Sequence, residues 1–380
     1  MLQTIKVPCV ILRGGTSKGI YLKASDLPTD KCVRDKLICK IFGSPDVRQI
    51  DGLGGADPLT SKCAIIGPAS RPDADVDYTF GQVSISEKYI DYSGNCGNIS
   101  AGVGPFAIDE GLVTATEGVT RVRIHNTNTG KIIIAEVPTV EGKAAVVGDH
   151  VIAGVPGTGA KIMLDYSDTA GAITGKLLPT GNSTDTLEVD GFGKVTVSIV
   201  DAANVVIFIR SKDIGLTGIE TPKELSNRPD MVTLLEKIRG AAAVKIGMAK
   251  DPEDALKRIP AFPMIAFVSP ATDYQDFTTG NLIKAAEIDF VSRLMFMQVM
   301  HKTYAGTGTI CTGVAAKIPG TVVNELVTAA AKPLIRFGHP AGVIEVEVAT
   351  NTQKGNIALE RAAMSRTARR IMDGNVYVVN

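Results

Sequence analysis

Short runs of β-branched and other apolar residues, separated by glycine-rich loops, dominate the pattern of this chain of 380 residues. Such runs favour β-strands that are bounded by tight turns. In the first half the pattern predicts strands at 4–12, 63–66, 78–85 and 87–92, a hairpin of 121–125 with 131–137, and helices over 29–42 and 103–112. In the second half it predicts strands at 187–189, 194–200, 205–210, 263–268 and 290–297, a helical span over 221–248, and a helix that runs through Ala316.

The two halves of the chain repeat one order of elements: strands, a glycine loop, a helix, and more strands. Residues 179–185 are rich in Gly, Ser, Thr and Pro, which favours a domain boundary there. We therefore predict domains at 1–183 and 184–380, and leave open that the last strand returns to the first domain. The repeat suggests an internal duplication in which two helix N-termini face one shared cleft.

Composition excludes several classes of function. The chain has 40 basic and 40 acidic residues, which predicts no nucleic-acid partner and no anionic membrane partner. Six cysteines without paired spacing, and no apolar run of membrane length, predict a reduced cytoplasmic enzyme. Four histidines without a Cys-x-x-Cys motif argue against a structural metal. The sequence leaves monomer and homo-oligomer open.

The segment 93–102 carries the strongest chemical signal in the chain. It places Cys96 between Gly94-Asn95 and Gly97-Asn98, just ahead of the helix predicted at 103–112. A thiol at a helix N-terminus meets the positive end of the helix dipole, which favours thiolate, and the backbone N–H groups there bind carboxylates. One loop can thus supply an acid/base group and an anion site.

Four motifs together are similar to a known family. They are Arg13-Gly14-Gly15-Thr16-Ser17-Lys18-Gly19, the loop 51–62 that ends at Lys62, the thiol loop 91–98, and Ala305-Gly306-Thr307-Gly308 at a second helix entry. Cys96-Gly97-Asn98 and the second entry resemble the diaminopimelate epimerase-like fold, and the N-terminal motifs resemble the PrpF-like family of 2-methylaconitate isomerases and their relatives. Those relatives include 3-methylitaconate Δ-isomerases, which the chain length and the spacing of Ser17, Lys62 and Cys96 resemble most, and 4-oxalomesaconate tautomerases.

The resemblance implies a fold and a reaction. The fold is α+β, with two pseudo-symmetric domains, each a β-barrel-like sheet around a central helix, and an active site in the cleft between them. The reaction moves an allylic proton in an unsaturated di- or tricarboxylate without a cofactor or a metal. The preferred substrate is 3-methylitaconate, converted to 2,3-dimethylmaleate, although the motifs do not themselves encode the substrate.

The resemblance also implies roles for particular residues. Cys96 and Lys62 are the predicted catalytic acid/base groups. The predicted substrate-binding residues are Ser17, Thr16, Gly94, Asn95, Gly97, Asn98, His301, Gly306, Thr307, Gly308 and Asn204. Asp91 and Ser93, which flank the thiol loop, are interpreted as turn residues.

One departure from the wider fold family narrows the chemistry. Two-thiol epimerases of this fold carry a second cysteine directly before the Gly-Thr-Gly entry, where this chain has Ala305. Cys311 lies further along, inside the predicted helix. Inverting a stereocentre between two opposed thiols requires both thiols, so amino-acid epimerisation is disfavoured and Lys62 becomes the expected partner of Cys96.

Two other classes of function stay open at this point. A cysteine-nucleophile hydrolase or transferase needs a histidine on the thiol, for which His301 is the candidate, and leaves Lys62 without a role. A catalytically silent carboxylate-binding protein needs neither Cys96 nor Lys62, so their joint presence favours the isomerase.

Overall fold

The structure is a computed structural model that describes residues 3–327, 332–353 and 356–379. Its strands in the first half of the chain are β1 (Thr4–Gly14), β2 (Ser17–Lys23), β3 (Lys62–Pro68), β4 (Val76–Val83), β5 (Ile90–Asp91), β6 (Gly118–Asn126), β7 (Lys131–Val140), β8 (Lys143–Ala144) and β9 (Ile162–Asp165). The later strands are β10 (Asp185–Val189), β11 (Gly193–Ala202), β12 (Asn204–Arg210), β13 (Met264–Pro270), β14 (Tyr274–Gln275), β15 (Leu282–Ile283), β16 (Phe290–Phe296), β17 (Val299–Met300), β18 (Leu334–His339), β19 (Gly342–Gln353), β20 (Asn356–Arg366) and β21 (Ala368–Val379). The helices are α1 (Lys31–Phe42), α2 (Gly97–Asp109), α3 (Pro222–Ser226), α4 (Pro229–Lys245), α5 (Pro252–Arg258) and α6 (Gly306–Lys317).

The chain packs as two compact units. The first unit consists of two segments, the chain up to Leu164 and the chain from Ser365 onward. The second unit runs from Asp165 to Met364. The boundary therefore differs from residues 183 and 184, where the sequence places it. The polar stretch 179–185 lies within the second unit, where Asp185 begins β10 and the Ser183 carbonyl accepts a hydrogen bond from Ser198 Oγ at 2.6 Å. Its composition reflects a loop that leads into a strand.

The first unit wraps its sheet around α2. Strand β1 pairs antiparallel with β2 and β21, β2 pairs parallel with β3, and β3 pairs antiparallel with β4. Residues 97–108 of α2 are all buried, and the helix contacts strands on several sides, β1 to β4 and β21 among them. Helix α1 covers the other face of this sheet, where Leu37, Ile38 and Ile41 join a core with Ile20 and Ile65.

A helix enclosed by strands needs small residues where the backbones come close. A Cβ atom on Gly102 of α2 would lie 2.3 Å from Tyr21 Oη of β2, a distance at which one group must move. Tyr21 is fully buried and its hydroxyl donates to the Ile99 carbonyl at 2.6 Å, so it has no room to move. The glycine content of the thiol segment thus lets α2 lie directly against the sheet.

The second unit repeats this plan. Strand β11 pairs antiparallel with β10 and β12, β12 pairs parallel with β13, and β13 pairs antiparallel with β16. Helix α6 is buried from Gly306 to Ala316 and contacts β11, β12 and β19. On the other face, Leu235 and Ile238 of α4 join a core with Ile207 and Ile265. In each unit a sheet lies between a buried helix and an outer helix, which accords with the predicted α+β class.

Three predicted elements need correction. The helix predicted at 103–112 begins at Gly97, because complete burial of its first turn outweighs the low helix propensity of Gly and Asn. The strand predicted at 87–92 shrinks to Ile90–Asp91, because Ser84 N–H bonds the Tyr89 carbonyl at 2.9 Å and closes a turn. The helical span predicted at 221–248 divides into α3 and α4, because Pro229 lacks an N–H and begins a new helix.

Candidate active site

Lys62 is a buried lysine at the first position of β3. Its side chain is only 3% exposed, and Nζ donates to Gln82 Oε1 on β4 at 2.8 Å. The ammonium also lies 5.3 Å from the centre of the Phe80 ring. Burying a cation costs free energy that a neutral amide and an aromatic ring offset only in part, which favours a functional role for Lys62.

Cys96 is the residue that caps the N-terminus of α2. Its carbonyl accepts hydrogen bonds from Ser100 N and Ser100 Oγ, both at 2.9 Å, which fix the first turn. Its side chain is 9% exposed and interacts with the Lys62 side chain through charge and a hydrogen bond. The structure thus brings the two predicted catalytic residues into contact.

The environment of Lys62 shifts its protonation in two directions. Burial lowers the pKa of Lys62 below its ordinary value, while the neighbouring Cys96 and the more distant Asp57 carboxylate raise it in part. The net effect is a lowered pKa, which moves the amine toward the range in which it can both take and return a proton near neutral pH.

Thr16 and Asn98 contact each other next to the thiol. Asn98 Nδ2 donates to Thr16 Oγ1 at 3.1 Å, and Asn98 Oδ1 accepts from Arg366 Nε, also at 3.1 Å. Gly15 lies below this amide with a positive φ of 52°, and a Cβ there would lie 2.3 Å from Asn98 Oδ1. The glycine loop therefore packs against the start of α2.

Ser17 presents a hydroxyl group that the protein leaves unbonded. The side chain is 2% exposed, and Oγ has no hydrogen-bond partner among the described residues. In β2 it lies two residues before Gly19, which pairs directly with Lys62 in β3. A buried hydroxyl without a partner costs free energy, and a substrate carboxylate on the Lys62 side of the strand would satisfy it.

The rest of the thiol loop is largely buried, and side chains of the same segment hydrogen-bond within it. Asn95 is 3% exposed and its Oδ1 accepts from Ser100 Oγ at 3.3 Å, while Gly94 and Gly97 are buried on either side. Asp91 Oδ1 accepts from Ser93 N–H at 2.7 Å, which is the turn expected of these residues. Hydrogen bonds within the segment thus lie on both sides of Cys96.

The remaining predicted residues lie in the second unit. Asn204 Nδ2 donates to Thr307 Oγ1 at 2.9 Å, between two fully buried side chains, which ties β12 to the Gly306-Thr307-Gly308 start of α6. His301 is 4% exposed, and its Nδ1 accepts from Thr303 N–H at 3.1 Å, so the neutral ring carries its proton on Nε2.

Ala305 and Cys311 occupy the positions in α6 that the sequence predicts. Ala305 is the cap residue of the helix and has no polar side chain there. Cys311 lies inside the helix, fully buried, and its thiol donates to the Val200 carbonyl at 3.2 Å. Burial raises the pKa of this thiol far above its ordinary value, so it stays protonated.

The model of the family described as "PrpF protein" matches residues 4–379 of this chain. The chain belongs to the PrpF family. It is 60% identical over 379 residues to the 3-methylitaconate isomerase of Eubacterium barkeri, a match that covers 100% of this chain and 98% of the relative. It is 40% identical to the 2-methyl-aconitate isomerase of Cupriavidus necator over 98% of this chain and 97% of that one.

Solved structures agree with the fold of this PrpF protein. The crystal structure of methylitaconate-delta-isomerase matches with a TM-score of 0.82 and 60% identity, over 99% of this chain and 96% of that chain. A hydroxyproline epimerase from Agrobacterium vitis matches with a TM-score of 0.60 at 12% identity, over 99% and 93% of the two chains, which shows the fold alone. These matches confirm the epimerase-like fold, and the named PrpF relatives confirm that the chain is an isomerase.

Sequence reasoning missed two residues that hydrogen-bond to predicted site residues. Gln82, the partner of Lys62, is an unremarkable strand residue in the sequence, and Arg366, the partner of Asn98, lies 268 positions from it along the chain. Neither belongs to a local motif. Gln82 could have been found from the sequence only if the register of β3 and β4 were known, because it pairs directly with Lys62 across these strands.

Within 3–327, 332–353 and 356–379, no three His, Cys, Asp or Glu side chains are grouped so that they could hold a metal ion. Within the same ranges, no helix is long and apolar enough to cross a membrane.

Proposed function

We propose that this chain isomerises 3-methylitaconate to 2,3-dimethylmaleate. The observation that carries the proposal is the buried pair of Lys62 and Cys96, in which the ammonium contacts the thiol at the N-terminus of α2. The full-length similarity to a named 3-methylitaconate isomerase supports this choice of substrate over other unsaturated polycarboxylates.

The reaction is a 1,3-shift of one proton. A base removes the proton from the carbon that bears the methyl group, which lies between a carboxylate and the double bond. The electron pair spreads over the allylic system and onto that carboxylate. An acid then delivers a proton to the former methylene carbon, which becomes the second methyl group, and the double bond moves one position inward.

Cys96 and Lys62 can act as base and acid in the two proton transfers, because a thiol is neutral or negative whereas an amine is neutral or positive. One member of the pair accepts the proton and the other returns one, which leaves the net charge of the pair unchanged; a proton that then passes between the two contacting groups restores their starting protonation states. Charge develops on the substrate carboxylate during the reaction, and N–H donors at the start of α2 stabilise it there more than in the ground state. The unbonded Ser17 hydroxyl is our proposed further donor to a substrate carboxylate.

The assay that tests the substrate uses a panel of three acids. Purified protein is incubated with 3-methylitaconate, 2-methylaconitate or 4-oxalomesaconate in deuterium oxide, and products are followed by ultraviolet absorbance and proton NMR. We expect 3-methylitaconate to turn over fastest, with deuterium entering the new methyl group. Faster conversion of either other acid would reassign the substrate within the PrpF family. A burst of hydrolysis product or a trapped thioester would instead favour a cysteine-nucleophile hydrolase.

Removing either member of the pair tests the mechanism. Cys96→Ala and Lys62→Ala should each lower kcat by roughly a hundredfold or more, as expected for acid/base groups. Cys63→Ala is the matched control, because Cys63 is a buried thiol next to Lys62 in the chain whose side chain belongs to the core on the α1 side of the sheet. It should lose stability but keep turnover. If Cys96→Ala retains nearly full activity, the thiol is a bystander.

We further propose a cytoplasmic location and a small-molecule polycarboxylate as the partner. All six cysteines are free thiols, including the exposed Cys32, which suits a reducing compartment. Size-exclusion chromatography with light scattering would give the oligomeric state.

A further inference from the structure

Gln82 has a side chain in which both polar atoms are committed. It is 1% exposed, Oε1 accepts from Lys62 Nζ at 2.8 Å, and Nε2 donates to the carbonyl oxygens of Pro58 and Ser61, both at 3.1 Å. Because carbonyl oxygens only accept hydrogen bonds, the NH2 end of the amide must face them. The oxygen end is therefore fixed toward Lys62.

We propose that Gln82 is the positioning residue that holds the Lys62 amine against Cys96 while leaving it free to change its protonation state. An amide oxygen is a neutral acceptor, so it bonds the ammonium and the neutral amine without adding a full charge. A carboxylate at the same place would retain the ammonium as an ion pair. This inference rests on the proposed acid/base function of Lys62.

The geometry of the sheet explains why position 82 has this effect. Lys62 pairs directly with Gln82 across β3 and β4, and Gln82 pairs with Asp91 of β5. The charged and titratable groups that face Lys62 are Cys96, from the start of α2, and Asp57, from the loop before β3. Asp91 stands one strand further away, so an amide separates the lysine from a carboxylate in the same row.

Two variants of similar size change the hydrogen-bond acceptor at position 82, one to a charged group and the other to an apolar group. Gln82→Glu places a carboxylate on the amine, which should move the midpoint of Lys62 ionisation upward by about 1–3 pH units. Gln82→Met removes the acceptor and leaves a desolvated amine, which should move the midpoint downward. In the pH profile of kcat/KM, the limb that arises from ionisation of Lys62 should move in the same direction as the measured midpoint in each variant. Both variants should lower kcat by about tenfold or more, because Gln82→Met no longer holds the amine in place and Gln82→Glu retains it as an ammonium ion pair.

The midpoint can be measured without any turnover. Trace acetylation with acetic anhydride at a series of pH values, followed by mass spectrometry of the Lys62 peptide, gives the fraction of neutral amine. Gln49→Glu is the matched control, since Gln49 is also 1% exposed and hydrogen-bonded in the first unit but bonds Ser44 and Ser61 rather than Lys62. It should leave the Lys62 midpoint close to that of the unmodified protein.

Opposite shifts in the two variants, with the control unmoved, support the inference. Midpoint shifts in the same direction, or no shift in a folded Gln82→Glu protein, overturn the inference. If Gln82 were only structural, its replacement would lower stability, and the direction of the Lys62 midpoint shift would not depend on the charge at position 82. If Gln82→Met fails to fold, Gln82→Glu alone decides, since it keeps the side-chain length and an oxygen toward Lys62, although it loses the two hydrogen bonds to the Pro58 and Ser61 carbonyls. Opposite shifts in a protein that leaves 3-methylitaconate unchanged would preserve the role of Gln82 and reject only the proposed function.

Discussion

The glycine loop lies so close to the start of α2 that we expect Gly14→Ala to lower kcat, although Gly14 is not one of the predicted acid/base residues. A Cβ on Gly14 would lie 2.4 Å from the Asn98 carbonyl oxygen, whereas ordinary contact begins at 3.4 Å, so the two backbones must separate by about 1.0 Å. A second close atom, Tyr21 Oη at 3.0 Å, prevents the methyl group from moving sideways. Since Asn98 is two residues from Cys96, the separation moves the thiol relative to Lys62.

The expected magnitude follows from that displacement. A misplacement of about 1 Å in a catalytic constellation costs about a hundredfold in rate, so kcat should fall by about that factor. The overpacked contact should also lower the free energy of unfolding by about 1–3 kcal/mol, which leaves the protein folded at room temperature. Turnover is measured by ultraviolet absorbance, and the position of the thiol is reported by the alkylation rate of Cys96.

A glycine elsewhere in the same sheet provides the control for Gly14→Ala. In Gly67→Ala the new Cβ meets only the Cβ of Ala24 at 3.0 Å, at the end of β3 furthest from Lys62. This variant should keep its turnover with a small loss of stability. If Gly14→Ala is folded and has native kcat and a native Cys96 alkylation rate, then the contact between the glycine loop and α2 does not set the position of the thiol.

Two further predictions concern substrate binding and the absent second thiol. Ser17→Ala should lower kcat/KM by roughly 10- to 100-fold, mainly through a higher KM, because a hydrogen bond from its hydroxyl to a carboxylate contributes about 1.5–3 kcal/mol; an unchanged KM would remove Ser17 from the binding site. Ala305→Cys, which restores a thiol at the cap of α6, should not create an epimerase, because proton exchange with inversion also requires an opposed geometry. The variant is incubated with chiral amino acids in deuterium oxide, and exchange is followed by NMR and racemisation by chiral chromatography. Formation of a racemate would contradict this prediction.

Much of the fold was predictable because its signals are local. Runs of Val and Ile marked about half of the strands that the structure describes, and the glycine-rich entries marked the two buried helices, since such patterns depend on residues close together in the chain. Errors arose where packing outweighed local preference. Helix α2 begins six residues earlier than predicted because the sheet encloses its Gly- and Asn-rich first turn, and the strand expected at 87–92 is mostly a turn.

The division of the chain also depended on packing. The composition of 179–185 suggested a domain boundary, but the second compact unit begins at Asp165 and the first resumes at Ser365. The final strand, β21, pairs along most of its length with β1, the first strand of the chain. Such pairing between the two ends of a sequence has no local signature, because register and not composition brings the strands together.

The sequence by itself determined the chemistry available at this site: a thiol at a helix start, a lysine at the end of a glycine loop, and an alanine where a second thiol would stand. The tertiary structure decided how that chemistry is tuned. It buries Lys62, fixes the oxygen of Gln82 on its amine, and brings Arg366 to Asn98 across 268 positions. The physical reason is that residue type sets what a group can do, whereas burial and hydrogen-bond partners set its protonation and position, and these come from strands that are distant in sequence.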